Sequence, residues 1–125
     1  MNALTEVHRA SNSAEKERVK AAGSFISMNR IEGKLEVFRA FGDLKMKTKG
    51  VIAEPYVSRV VLNKSSANPL YNVVIACDGL WDFANKEKID SLVGSSFDST
   101  GDVSSGLRNL AKTSRSNDNI TVMTV

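Results

Sequence analysis

Residues 71 to 82 read Tyr71-Asn72-Val73-Val74-Ile75-Ala76-Cys77-Asp78-Gly79-Leu80-Trp81-Asp82. Tyr71 to Cys77 is a near-continuous apolar run, the pattern of a strand buried on both faces. The run ends in an aspartate, and Gly79 follows to allow a turn. Asp82 lies four residues after Asp78, so a tight turn folds it back beside Asp78. Carboxylates at a strand end are held rigidly by the sheet, which suits a hard cation such as Mg²⁺ or Mn²⁺. An aspartate that simply caps a turn is the alternative for Asp78. Asn117-Asp118-Asn119 stands directly before the last strand candidate, Ile120 to Val125. If that strand lies beside the Tyr71–Cys77 strand, Asp118 and Asp78 meet at one rim and share a cation. A plain turn is again the alternative. Asp43, after Gly42, has the same two readings.

Outward from this stretch the pattern is mixed. Asn12 to Ala22 reads as a helix, with Asn12 as cap, Glu15 at capping-box spacing and Gly23 where a left-handed residue ends a helix. Phe25–Met28 and Leu35–Phe38 read as short strands. Gly33 in a tight turn makes Arg30 to Arg39 a hairpin. Leu44 to Gly50, with Lys45, Lys47 and Lys49 at alternate positions, reads as a solvated loop. Tyr56 to Leu62 is β-branched and predicts a strand; Asn63 to Pro69 predicts a loop. Asn85 caps a helix with Ile89, Leu92 and Val93 inward and Phe97 one turn on. Asp102 caps another, with Val103, Leu107, Leu110 and Ala111 on one stripe. Six or so strands and three helices make one α+β domain with antiparallel pairing and no internal boundary.

Composition bounds the function. The chain has 125 residues, 42% hydrophobic and 25% charged, which excludes a disordered tail or a disulfide scaffold. Its net charge of +3 is mild for a nucleic-acid module. The few aromatics (6%) do not alternate with basic residues as a stacking platform would. Cys77 is the only cysteine, so a reducing compartment follows, and it reads as an inert buried thiol. No apolar run approaches the ~18 residues of a membrane span, and Met1 to Arg9 lacks a signal h-region. The expected location is cytoplasmic or nuclear. His8 is the only histidine, so a His-rich zinc site is excluded, and His8 reads as a surface or packing residue. No Gly-rich phosphate loop occurs. Trp81 reads as a core anchor.

The order and spacing of several blocks carry a resemblance. These are Leu4-Thr5 with His8-Arg9; Glu15 to Arg18 before Ala22-Gly23; Arg30 to Leu35; Arg39-Ala40-Phe41-Gly42-Asp43; Ala53-Glu54-Pro55; Ala76 to Asp82; and Asp118 to Val122. The sequence resembles the C-terminal half of the metal-dependent protein serine/threonine phosphatases, the type 2C class, nearly end to end. The resemblance implies part of a four-layer α-β-β-α sandwich with mainly antiparallel sheets. It implies Mg²⁺ or Mn²⁺ as cofactor and phosphoserine or phosphothreonine proteins as substrates. Asp78 and Asp118 match two ligands of one ion, and Asp82 matches a ligand of a further, weaker ion shared with Asp78. Asp43 matches the aspartate of its block without being a ligand. Leu44 to Val51 matches the start of a segment bordering the substrate.

There are departures. The family's Asp-Gly-His-Gly-Gly block and its phosphate-binding arginine have no counterpart in these 125 residues. Val7, Phe38 and the Thr113–Asn117 loop depart from the usual residues. The expected object is therefore the metal-binding C-terminal portion of a phosphatase domain over residues 1–125, with weak metal binding by itself. No catalytic side chain is assigned within it. Strand edges and an apolar face are expected to be bare, inviting a complementing chain or self-association. The alternative is a catalytically incomplete, phosphatase-like interaction module. Neither nucleic acid nor membrane is an expected partner.

Overall fold

The computed structural model describes residues 1–62, 71–95 and 102–125. The predicted Asn63–Pro69 loop and Phe97 lie outside the described residues. Sequence reading places no boundary in the chain, whereas its contacts divide it into two compact units, Asn2–Val61 and Leu62–Val125 together with Met1. Each has its own core.

In the Asn2–Val61 unit, α1 (Ser13–Ala21) starts where predicted. The Asn12 side chain accepts from the backbone N–H of Ala14 and Glu15. Gly23, at φ +77°, closes the helix in the left-handed region. β1 (Ile26–Ser27) pairs antiparallel with β2 (Arg30–Ile31), in the register Ile26 to Ile31 and Ser27 to Arg30. The hairpin turn is therefore Met28-Asn29, both at positive φ, as a two-residue hairpin turn of the mirror-image type requires. The predicted Arg30–Arg39 hairpin survives only as a second reversal around Gly33, with one bridge from Ile31 to Leu35. Leu35–Phe38 is not a strand. Arg39 instead makes a parallel bridge with Ile52. The predicted 44–50 loop contains one helical turn, α2 (Leu44–Lys47). Ala10, Val19, Ile31, Phe38 and Val51 form the core.

Tyr56–Leu62 is not a strand either. Val57 and Val61 are 81% and 85% exposed. Strand propensity measures fit to a half-buried pleated surface, and the described residues supply no neighbouring strand here.

In the other unit, β3 (Val74–Ala76) pairs antiparallel with β4 (Val122–Thr124), Ile75 facing Met123 and Ala76 facing Val122. Between them come α3 (Asp78–Trp81), α4 (Lys86–Ser95) and α5 (Val103–Thr113). Asn85 caps α4, and Asp102 caps α5 by accepting from Ser105 N–H. The hydroxyls of Ser104 and Ser105, then the Ser105 amide, hold the Asp102 carboxyl down at about 2. Leu80, Ile89, Leu107 and Ala111 are fully buried, each large side chain contributing about 1.5–3 kcal/mol.

Val74, Ala76 and Val122 lean on that cluster. The sheet's other side does not: Ile75 is 53% and Met123 52% exposed, and Val73 and Val125 also face water. The apolar run predicted to be buried on both faces is thus covered on one, because the sheet has two strands and helices on one side. Among the described residues there are four strands and five helices rather than six and three. The two extra helices are single turns too short to show a period. The architecture is a mixed helix–strand chain with small antiparallel sheets.

Candidate metal centre

The β3–β4 pairing brings the two aspartate-bearing segments to one sheet end, as the sequence suggests. Beyond the Ala76–Val122 pair, Cys77 N–H donates to the Thr121 carbonyl at 3.2 Å. The chain then turns directly into α3, so Asp78 occupies a first helical turn rather than a free loop. Asp82 N–H donates to the Asp78 carbonyl at 2.9 Å. This i, i+4 relation sets the two carboxylates on one helix face.

Gly79 has a different task from the one its sequence context implies. Its φ is not positive. A Cβ there would lie 2.1 Å from the Asn119 carbonyl oxygen, so glycine is needed to let the segment that follows Asp118 approach. Asp118 itself accepts from Asn119 N–H at 2.7 Å. The loop before it leaves α5 with Arg115 at φ +68°, a non-glycine residue in the position where a helix end favours glycine.

Asp78, Asp82 and Asp118 are all exposed. Among the described residues no three His, Cys, Asp or Glu side chains draw together closely enough to form one three-ligand cluster. The donor set is oxygen only. That chemistry fits a hard cation held through one or two carboxylates, with water in its other positions.

Two neighbours differ from expectation. Trp81 is 39% exposed and donates its indole N–H to the Ala76 carbonyl at 2.8 Å. It braces the strand end instead of anchoring the core. Cys77 is half-buried. Its thiol donates to the Asn119 carbonyl at 3.0 Å and accepts from Thr121 N–H at 3.2 Å.

The Asn2–Val61 unit holds a cluster that sequence reasoning missed. Glu15, read as a capping-box residue, is 3% exposed. Arg39 donates to it from Nε at 2.9 Å and Nη2 at 2.5 Å, and Arg18 Nη2 also bonds its carboxylate. His8 Nδ1 stands 3.6 Å from the same carboxylate, and its ring tilts against Tyr56 at 6.3 Å, a packing role as expected. Arg18 also donates to the Phe38 and Gly50 carbonyls, and Arg39 to the Glu54 carbonyl. Burial alone would raise the Glu15 carboxyl. Hydrogen bonds from Arg39 and Arg18, and then their charges, outweigh it and hold the carboxyl below its ordinary range. The Glu15 hydrogen bond in turn raises Arg39. The signal available in sequence was the Glu15–Arg18 spacing alone; Arg39 lies 24 residues away.

Asp43 precedes α2 at φ +54° and makes no capping bond. Of the three lysines, Lys47 donates to the Ala40 carbonyl and Lys49 lies 3.5 Å from Glu32.

Comparison with known proteins identifies the fold's relatives. The family described as Protein phosphatase 2C matches residues 1–120. Protein phosphatase 1A of Homo sapiens is 34% identical over 108 residues, which take in 80% of this chain and 28% of that protein. Protein phosphatase 2C homolog 1 of Saccharomyces cerevisiae is 31% identical over 122 residues, 98% of this chain and 41% of its own length. Among solved structures, a phosphatase from Toxoplasma gondii superimposes with a TM-score of 0.79 at 27% identity, covering 97% of this chain and 40% of that one. A sex determining protein of C. elegans gives 0.79 at 28% identity, covering 97% and 31%. The chain thus spans less than half of these relatives. The chain belongs to the protein phosphatase 2C family.

Proposed function

We propose that this chain is the metal-binding C-terminal portion of a protein serine/threonine phosphatase that hydrolyses phosphoserine and phosphothreonine with Mg²⁺ or Mn²⁺. The observation that carries the reading is the antiparallel β3–β4 pairing. It supports bringing Asp78 and Asp118, both exposed oxygen donors, to the same sheet end. Asp78 and Asp118 hold the cation, and Asp82, one turn from Asp78, shares in a second, weaker position. A bound cation would supply an acidified water and neutralise phosphate charge. The chain's own contribution is orientation: α3 fixes Asp78 and Asp82 on one face, and the Gly79–Asn119 approach fixes the distance to the Asp118 segment. The four-layer sandwich belongs to this proposal as the setting in which a second sheet covers the bare side of β3–β4.

A chimera tests the reading. The whole chain, residues 1–125 with both β3 and β4, would replace the matching portion of human Protein phosphatase 1A. The folded chimera should hydrolyse a phosphothreonine peptide with Mn²⁺ and fall roughly tenfold or more in activity with Asp78→Asn. A folded but inactive chimera would count against it.

A second reading, a catalytically incomplete interaction module, is favoured by the uncharged apolar side of the sheet around Ile75 and Met123. Light scattering on the 125-residue chain separates them, since a monomer with no affinity for other chains would remove the module reading. No described helix is long and apolar enough to cross a membrane.

A further inference from the structure

We propose that Cys77 is a positioning residue for the cation site, holding the Asp118 segment against the Asp78 segment through its thiol. The inference rests on the metal reading above and adds a residue that touches neither metal nor substrate.

The β3–β4 ladder ends at the Ala76–Val122 pair. Past it, residues 119–121 are tied to Cys77 at three points. The backbone supplies one, Cys77 N–H to the Thr121 carbonyl at 3.2 Å. The thiol supplies the other two, to the Asn119 carbonyl at 3.0 Å and from the Thr121 N–H at 3.2 Å. Asp78 is the residue after Cys77, and Asp118 the residue before Asn119.

A thiol can donate and accept at once, weakly in each direction. Here both functions are used, and both are spent on the segment that carries the second carboxylate. Gly79 provides the complementary half of the device, leaving room for the same Asn119 carbonyl. The thiol pulls that carbonyl in, and the missing Cβ lets it arrive. Remove the thiol's bonds and the Asn119 carbonyl loses its tie to β3. Cys77 then keeps only its backbone bond to Thr121, three residues from Asp118, and the close packing at Gly79 has no thiol bond to hold it. Groups that orient metal ligands typically cost ten- to a hundredfold in metal affinity when removed.

The experiment is a Mn²⁺ titration of the 125-residue chain followed by water-proton relaxation, beside the thermal midpoint of each variant. Cys77→Val fills the space without donating or accepting and should weaken Mn²⁺ binding about tenfold or more. Cys77→Ser keeps both functions and should bind close to the unsubstituted chain. Leu107→Ala, in the buried core of the same unit, should lower the midpoint and leave Mn²⁺ affinity unchanged. Loss of affinity in Cys77→Val and Leu107→Ala alike, in proportion to their midpoints, would mean that the thiol acts through stability only and would overturn the inference. So would full affinity in Cys77→Val when Asp78→Asn abolishes binding. If the unsubstituted chain binds no Mn²⁺, or Asp78→Asn binds as well as it does, the metal reading itself fails and this inference falls with it.

Discussion

Gly79→Ala destabilises the Leu62–Val125 unit by about 2 kcal/mol, roughly a thirtyfold shift in its folding equilibrium. The cause is geometric. The new methyl carbon would stand 2.1 Å from the Asn119 carbonyl oxygen and 3.0 Å from its carbon. Both are backbone atoms, so no side-chain rotation relieves the clash. Forcing such contacts apart costs about 3 kcal/mol. Alanine's better helix propensity in α3 returns about 1 kcal/mol, so the clash wins. Trp81 is the only tryptophan and lies two residues away, hydrogen-bonded to Ala76. Its fluorescence through a urea titration reports this unit. An unchanged midpoint would show that the Asn119 segment does not approach α3 in solution.

Glu15→Ala removes the centre of the buried ion cluster and costs the Asn2–Val61 unit about 3 kcal/mol. Breaking a buried pair commonly costs ~3–5 kcal/mol. The lower end applies because Arg18 and Arg39 retain 26% and 22% exposure and regain some water. The loss is structural as well as electrostatic, since Arg18 and Arg39 hold the carbonyls of Phe38, Gly50 and Glu54. The pH dependence follows from the lowered carboxyl. A group whose folded pKa is below its ordinary 4.5 contributes stability that is full above that value. The contribution disappears as pH falls through the lower folded value. Acid should therefore loosen this unit below about pH 4.5, and Glu15→Gln should flatten that slope. Amide hydrogen exchange of α1 measures both effects. Unchanged protection in Glu15→Ala would refute the cluster's role.

Local chemistry is legible in the sequence, and long-range chemistry only where two apolar strands announce their pairing. Asn12, Asn85 and Asp102 were readable as caps because a cap needs only the next three residues. The Asp78 and Asp118 segments were readable as one rim because two apolar strands flank them. Glu15 was misread because its partner Arg39 is distant in sequence, and the same glutamate satisfies the capping-box pattern. Tyr56–Leu62 carries strand propensity without the neighbour that realises it. Leu44–Lys47 and Asp78–Trp81 are single helical turns, shorter than the period that reveals a helix. Residue type points Trp81 to the interior and the apolar run around it points Cys77 there, but both serve the strand end through hydrogen bonds.

The one-sided cover of the β3–β4 sheet has a calorimetric consequence. Unfolding ordinarily raises the heat capacity by about 12–15 cal/mol/K per residue, chiefly because apolar groups become hydrated. Val73, Ile75, Met123 and Val125 already touch water in the folded chain, so they add less to that step than fully buried residues would. The stability of this unit therefore changes with temperature along a shallower curve than a fully covered sheet would give. Covering the same sheet side would steepen it, giving the isolated chain and its covered form different thermal signatures while their helices stay the same.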